Sequence, residues 1–378
     1  MIVQRCNPHQ LRNTIKAIGA DAMGVKIMSQ KGTIFVFEIR ELSFEAMSIL
    51  KQEALSAGGD LATPREAIKY QGEKIALLIA TETQLTKIIY KLGYQPFGLK
   101  KLQSILQAHL DSHRMSFSPQ LMAIVNVTPD SFYESSRQDT ISAIDRIYTL
   151  LDKEVDMIDI GAASSRPGSE LLESDVEITR LKGVVEEIYR HSLMKHCQFS
   201  IDTYNPQTAD FALSHGFSIV NDVSGFAHSQ MPKIAAKYNA TAILMHTKGT
   251  PKEMQNLTHT YTHLINDIDA FFVHKIQLLR EEGVKNIVLD VGFGFAKNVA
   301  QNLEIIKNLA HFKHFGFPIL VGASRKSTIG EITNRATQQR LSGTLALHLL
   351  ALQNGANILR VHDEDEHIDM IKVYKALQ

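Results

Sequence analysis

Leu121-Met-Ala-Ile-Val-Asn-Val-Thr-Pro-Asp-Ser-Phe-Tyr133 is an apolar run that breaks abruptly into amide, hydroxyl and carboxylate groups. A short run rich in Val and Ile reads as a strand, and its polar residues begin where the strand ends. Taken alone, Thr-Pro-Asp-Ser is turn chemistry that any protein uses. Its weight comes from repetition. Comparable runs recur at 157–161, 199–202, 218–221, 241–246, 286–290, 318–322 and 357–361, and polar residues follow nearly every one. Between them lie stretches with helical spacing, such as Ile141, Ile144, Ile147, Tyr148 and Leu151, or Leu303, Ile306 and Leu309. Strands alternating with helices pair in parallel through crossovers. Eight such units within residues 119–378 match a (β/α)8 TIM barrel, which takes about 250 residues. A doubly wound open sheet is the main alternative; the count of eight and the polar strand ends favour the barrel.

Working outward, residues 1–118 read as a separate small α/β domain. Strands are expected at 34–39 and 74–80, and helices at 44–57, 84–92 and 99–110, with the polar stretch 109–119 as linker. This N-terminal domain carries no motif that converts to chemistry, and packing or dimer support is its plainest reading. The whole chain has 40 basic and 40 acidic side chains. That zero balance argues against a nucleic-acid or membrane-surface binder, whose basic excess shows in the totals. The balance is the sum of two unequal parts, +5 for residues 1–118 (15 basic, 10 acidic) and −5 for the rest (25 basic, 30 acidic). Cys6 and Cys197 form no paired motif, and no apolar run approaches membrane-spanning length, so a cytoplasmic location is expected. The 16 histidines include no H-E-x-x-H pair, which disfavours a zinc site. Gly292-Phe-Gly lacks a third glycine, and no P-loop occurs, so neither nucleotide fold is indicated. The run 363–366, Asp-Glu-Asp-Glu, reads as the solvated start of the last helix.

Chemistry concentrates at the strand ends. Asp202, Asn221, Asp290 and Lys326 each fall at or just beyond one, and burying such groups is costly unless a partner or ligand satisfies them. Active sites of these barrels sit on the carboxyl-terminal face. Lys326, Arg360 and Arg166 would then share one rim with His362, and a cationic cluster in an acidic barrel points to an anionic substrate.

Read in order, these strand ends resemble the dihydropteroate synthase family of pterin-binding barrels. The resemblance rests on Ala123-Ile-Val-Asn-Val-Thr-Pro-Asp-Ser-Phe132, Ser164-Ser-Arg-Pro-Gly168, Asp202, Asn221-Asp222, Met245-His246, Gly249-Thr-Pro251, Gly292-Phe-Gly-Phe295, Ser324-Arg-Lys-Ser327 and Arg360-Val-His362. It spans about 240 residues in the family's order, and some bacterial members have a similar N-terminal extension. The chain departs from the family in its first loop, in Ala162-Ala163 where Gly-Glu is usual, and in Asp290-Val-Gly292 where Asp-Pro-Gly is usual.

The resemblance implies a condensation of 6-hydroxymethyl-7,8-dihydropterin diphosphate with p-aminobenzoate, by SN1-like loss of diphosphate. It assigns pterin binding to Asp202, Asn221, Met245, Asp290, Phe295 and Lys326. The p-aminobenzoate pocket falls to Phe132, Ser165, Arg166, Pro167 and Ser327, and diphosphate to Asn126, Arg360 and His362. Asp202, Lys326, Arg360 and His362 are the expected catalytic groups, and Asn126 the ligand of a Mg²⁺ cofactor. Homodimerisation and sulfonamide sensitivity are expected with it. A methyltetrahydrofolate-binding barrel of the corrinoid methyltransferase kind shares the fold but has no need of the 164–168 and 324–327 blocks. A non-catalytic scaffold would not need polar strand ends.

Overall fold

A computed structural model describes residues 1–65, 74–127, 136–163, 172–250 and 252–377. The chain divides into two compact units, Met1–Met115 with His314–Gly316, and Ser116–Lys313 with Phe317–Leu377.

The first unit comprises α1 (Leu11–Ala17), α2 (Ala22–Gly32), β1 (Ile34–Leu42), α3 (Phe44–Ala57), β2 (Asp60–Ala62), β3 (Lys74–Thr81), α4 (Glu82–Leu92) and α5 (Leu99–His113). Its antiparallel sheet has the order β1-β3-β2. Leu50, Leu61, Leu78, Leu85, Ile88 and Leu92 are fully buried in its core, each contributing about 1.5–3 kcal/mol by leaving water. Local chemistry sets the helix ends. Ser43 caps α3, Gly58 ends it in the left-handed conformation, and Thr81 with Gln84 forms a reciprocal capping box for α4. The polar stretch 109–119 was expected to be linker throughout, but α5 continues to His113. Its polar residues remain helical because Gln107 Nε2 donates to Asp111 Oδ1 one turn on, at 2.8 Å.

The second unit contains eight parallel strands in a closed barrel. They are β4 (Gln120–Asn126), β5 (Met157–Gly161), β6 (Gln198–Asp202), β7 (Ile219–Asp222), β8 (Thr241–Met245), β9 (Asn286–Asp290), β10 (Ile319–Val321) and β11 (Ile358–Val361). Pairing runs β4 to β10 in sequence order, and β11 closes the circle between β10 and β4. The helices are α6 (Ser136–Asp152), α7 (Ser174–Arg190), α8 (Pro206–Ser214), α9 (Met231–Lys237), α10 (Leu264–Glu281), α11 (Val299–Lys307), α12 (Ser327–Thr333), α13 (Leu341–Gln353) and α14 (Glu364–Ala376). The sequence places all eight strands to within two residues at either end.

Strand side chains alternate in direction, so one residue in two belongs to the barrel interior. Met122, Met157, Ile219, Ile243, Val288, Leu320 and Ile358 form a buried apolar layer drawn from seven strands. Two residues further along, the same inward positions hold Ile124, Asp159, Asn221, Met245, Asp290, Gly322 and Arg360. The interior therefore changes from an apolar plug to a polar layer in one step along the strands, towards their carboxyl ends.

Candidate active site

Arg360 is the hub of the polar layer. Its Nε donates to Asp159 Oδ2 at 2.6 Å and its terminal nitrogen to Asp202 Oδ2 at 2.5 Å. Asn221 Nδ2 donates to the same Asp159 oxygen at 3.0 Å. Asp159 is completely buried, and a buried carboxylate persists only when paired and hydrogen-bonded. The strands fix this arrangement, since Gly161, Asp202 and Asn221 are neighbours in register. A Cβ at Gly161 would lie 3.2 Å from the Asp202 Cβ, so the glycine makes room for that carboxylate. Beyond Asp202, the buried Glu177 accepts from Thr203, Asn205 and Thr208 at 2.7–2.8 Å, holding the turn that follows β6.

One guanidinium thus lies between two carboxylates, and the layer keeps an excess of negative charge. Burial first, and the neighbouring acids Asp159, Glu177 and Asp222 with it, push Asp202 up to about 7 against the opposing pull of Arg360. Burial works against the Arg360 cation, but Asp159 and Asp202 outweigh it and hold the guanidinium charged. Among the described residues, Asp159 Oδ1, Asn221 Oδ1 and Ser200 Oγ are buried without a hydrogen-bond partner. Two of these, Asp159 Oδ1 and Asn221 Oδ1, are acceptors in the polar layer, and a donor-rich ligand edge would satisfy them.

Asp290 and Met245 are register neighbours on β9 and β8. The Asp290 carboxylate accepts the Gly292 amide at 2.8 Å; burial raises its pKa, with Lys326 opposing. Lys326 is the N-cap residue of α12. Its ammonium donates to the Phe293 carbonyl and lies 4.4 Å from the centre of the Phe295 ring. Burial pulls it down to about 8, with Asp290 opposing. The loop between these groups is held by Lys297. Its Nζ reaches the Gly292 and Phe295 carbonyls at 3.0 Å, the His246 carbonyl at 3.4 Å and His246 Nδ1 at 2.9 Å, so four groups surround one buried ammonium. Gly292 has φ +66°, and a Cβ there would meet the His246 carbonyl at 1.9 Å, so only glycine closes this turn.

Asn126 ends β4 exposed, in register with Gly161. His362 follows β11, with Nδ1 3.0 Å from Ser324 Oγ. Ser327 opens α12 and is exposed. The expected residues Asp202, Asn221, Met245, Asp290, Lys326, Arg360 and Asn126 therefore all come from inward positions, ends or following loops of barrel strands. Phe132, Ser165, Arg166 and Pro167 lie outside the described residues. Sequence reasoning assigned no role to Asp159 or to the His246–Lys297 pair. A charged residue alternating with Met157 and Gly161 in an otherwise apolar strand was the available signal for Asp159.

The acidic run at 363–366 needs correction. It does open α14, but Glu364 is buried and bonds both Arg146 and Lys153 of α6, and Asp363 pairs with Arg325 through two hydrogen bonds. Asp363 and Glu364 thus tie elements together, whereas Asp365 and Glu366 are exposed as expected.

A family model described as pterin binding enzyme matches residues 122–362. The chain is 51% identical to a bifunctional dihydropteroate synthase/dihydropteroate reductase of Helicobacter pylori, with 100% of this chain and 99% of that protein covered. It is 34% identical to the dihydropteroate synthase of Escherichia coli over 68% of this chain and 91% of that enzyme. The solved dihydropteroate synthase of Xanthomonas albilineans with 4-aminobenzoic acid matches at a TM-score of 0.63 and 33% identity, covering 69% of this chain and 93% of that one. With a family model matched over more than half of the chain and relatives aligned over most of their length, the eight-stranded barrel and its polar layer take their place in a known group, and the chain belongs to the dihydropteroate synthase family of pterin-binding enzymes.

Proposed function

We propose that this enzyme condenses 6-hydroxymethyl-7,8-dihydropterin diphosphate with p-aminobenzoate to give 7,8-dihydropteroate and diphosphate. The observation that carries the reading is the buried layer of Asp159, Asp202, Asn221 and Arg360, with its two partnerless acceptors, at the carboxyl end of the barrel. The 2-amino and N3 edge of a pterin donates two hydrogen bonds in one direction, which suits a carboxylate, and Asp290 takes that role. Asn221 Oδ1 and Asp202 accept from the remaining ring N–H groups, Lys326 donates to the ring carbonyl, and Met245 and Phe295 supply apolar contact. Groups built to hydrogen-bond a ligand reject analogues that lack the partner.

In the reaction the bond from the pterin methylene carbon to the diphosphate oxygen breaks, and the amine nitrogen of p-aminobenzoate bonds to that carbon and loses a proton. The ring can stabilise a methylene cation, so departure of diphosphate precedes attack in an SN1-like path. The net negative charge around Arg360 favours that cation, with Asp202 nearest. Diphosphate gains charge as it leaves, and Arg360 and His362 stabilise it. Asn126, whose amide has no hydrogen-bonding partner among the described residues, would hold Mg²⁺; one amide oxygen fits an ion that keeps most of its waters. Bound there, the ion would supply positive charge to the diphosphate oxygens. Ser327 takes the p-aminobenzoate carboxylate, with Phe132, Ser165, Arg166 and Pro167 closing that pocket.

Homodimerisation, sulfonamide sensitivity and a cytoplasmic location, in keeping with free Cys6 and Cys197, belong to the same proposal. No described helix is long and apolar enough to cross a membrane. The corrinoid methyltransferase reading finds no support among the relatives described. A second activity, dihydropteroate reduction, is also proposed, because the Helicobacter pylori relative, 51% identical over 100% of this chain, is named for it. The pterin assignment is tested by calorimetry with Asp290→Asn. Pterin affinity should fall by about tenfold or more, since one charge-assisted pair is worth about 1.5–3 kcal/mol. Unchanged affinity in a folded variant would remove Asp290 from the site.

A further inference from the structure

Behind the layer described above, two fully buried histidines on neighbouring helices make a hydrogen-bonded chain whose direction is fixed. His348 of α13 accepts the Ala323 amide N–H at Nε2, at 3.0 Å. A backbone N–H only donates, so that nitrogen is bare, and the neutral ring carries its proton on Nδ1. Nδ1 lies 2.8 Å from His367 Nε2, which must then accept. His367 of α14 therefore has its own proton on Nδ1, where it meets the Asp363 carbonyl oxygen. An amide donor at one end and a carbonyl acceptor at the other determine both tautomers.

The two ends are informative. Ala323 precedes Ser324-Arg325-Lys326, and Asp363 follows Arg360 and His362. Arg325 sits at φ +55°, a left-handed conformation that costs a non-glycine residue about 1–2 kcal/mol and persists only when the surroundings over-determine it. Here they do. Thr344, one turn before His348 on the same helix face, accepts the Arg325 amide at 3.1 Å. Arg340 donates to the Arg325 carbonyl at 3.0 Å, and the Arg325 guanidinium grips the Asp363 carboxylate. The backbone two residues before Arg325, at Ala323, is held by His348.

We propose that His348 and His367 are positioning residues for the reaction at the barrel mouth: as a neutral, one-way pair they lock the loop carrying Lys326 to the strand end carrying Arg360 and His362. Its catalytic consequence rests on the synthase reading, whereas the pair itself does not. A second proton on either ring would set N–H against N–H and break the chain. Burial lowers both pKa values. Around the pair, His367 and Lys326 also disfavour protonation of His348, while Asp363, Glu364 and Glu366 favour it at His367 without offsetting burial; Arg325 is paired with Asp363, Arg146 and Lys153 with Glu364, and Arg340 donates to the Arg325 carbonyl.

Two measurements on the full chain test this. In nitrogen-15 NMR, the two rings, assigned by their loss in His348→Gln and His367→Gln, should both be neutral Nδ1–H tautomers from pH 8 to pH 6. An Nε2–H form at either overturns the pair, whether or not the enzyme turns over. In steady-state kinetics, His348→Leu should lower kcat by about ten- to a hundredfold, as misplacement of reacting groups does, with pterin KM within about threefold. His348→Gln, whose amide oxygen can still accept from Ala323, should recover most of that loss. Wild-type kcat in His348→Leu, or in its place if it does not fold, equal kcat in His348→Gln and a His348→Met variant, overturns the positioning role. Absent synthase turnover in the wild type would instead count against the reaction, leaving the NMR result to judge the pair.

Discussion

Asp202 and Lys326 have pKa values moved towards each other by burial, one up to about 7 and the other down to about 8. Asp202 works as an anion and Lys326 as a cation, so kcat/KM should rise as pH climbs through about 7 and fall beyond about 8. A narrow bell is expected, and a flat profile between pH 6 and pH 9 would contradict these roles. Both residues were legible in the sequence because Asp202 ends an apolar strand and Lys326 lies in the short loop after another. Asp159 was harder to read. It lies inside β5, where a single acid among Met157, Ile158 and Ile160 gives no hint of its partner, and Arg360 is about 200 residues away in the chain. Which acid pairs with which base is a property of barrel closure, and closure is not written in any local pattern.

Glu364 shows how an element end acquires a structural role. Burial would raise its pKa, but Arg146 and Lys153 of α6 overcome that and hold it at about 2. Because the folded value is depressed, the pair stabilises the fold above the unfolded value near 4.5 and loses its contribution as pH falls towards 2. The shift corresponds to about 3 kcal/mol at neutral pH. Glu364→Gln should lower stability by roughly that amount in urea unfolding at pH 7, and the deficit should shrink below pH 4; an unchanged midpoint would show the pair to be neutral. The acidic run was read as solvated because a helix start attracts acids in any case, and that local rule hides a partner on another helix. Elements with strong periodicity, such as α3 and the barrel strands, were legible throughout. The three-residue β2 was not, because a strand of that length exists only through its pairing with β3. Helices α1 and α2 each bury one side chain, Ile15 and Val25, and offer little apolar pattern to read.

At the scale of the molecule, zero net charge conceals a basic first part and an acidic barrel. The barrel's excess acid is now localised in part to the layer around Arg360, where Asp159 and Asp202 share one guanidinium and Asp290 lies nearby. The first unit has its own core and sheet, and a relative named for the synthase alone aligns over 68% of the chain. For the proposed second activity, the full chain with 7,8-dihydropteroate and a reduced nicotinamide should give stoichiometric oxidation of the nicotinamide and the tetrahydro product; no consumption with either nicotinamide, with or without added cell extract cleared of protein, would remove that activity. The condensation is tested most directly by following diphosphate and pteroate together. The full chain supplied with the dihydropterin diphosphate, p-aminobenzoate and Mg²⁺ should release one diphosphate for each 7,8-dihydropteroate formed, with turnover abolished when p-aminobenzoate is left out. Diphosphate release without dihydropteroate, or no release at all, would contradict the account.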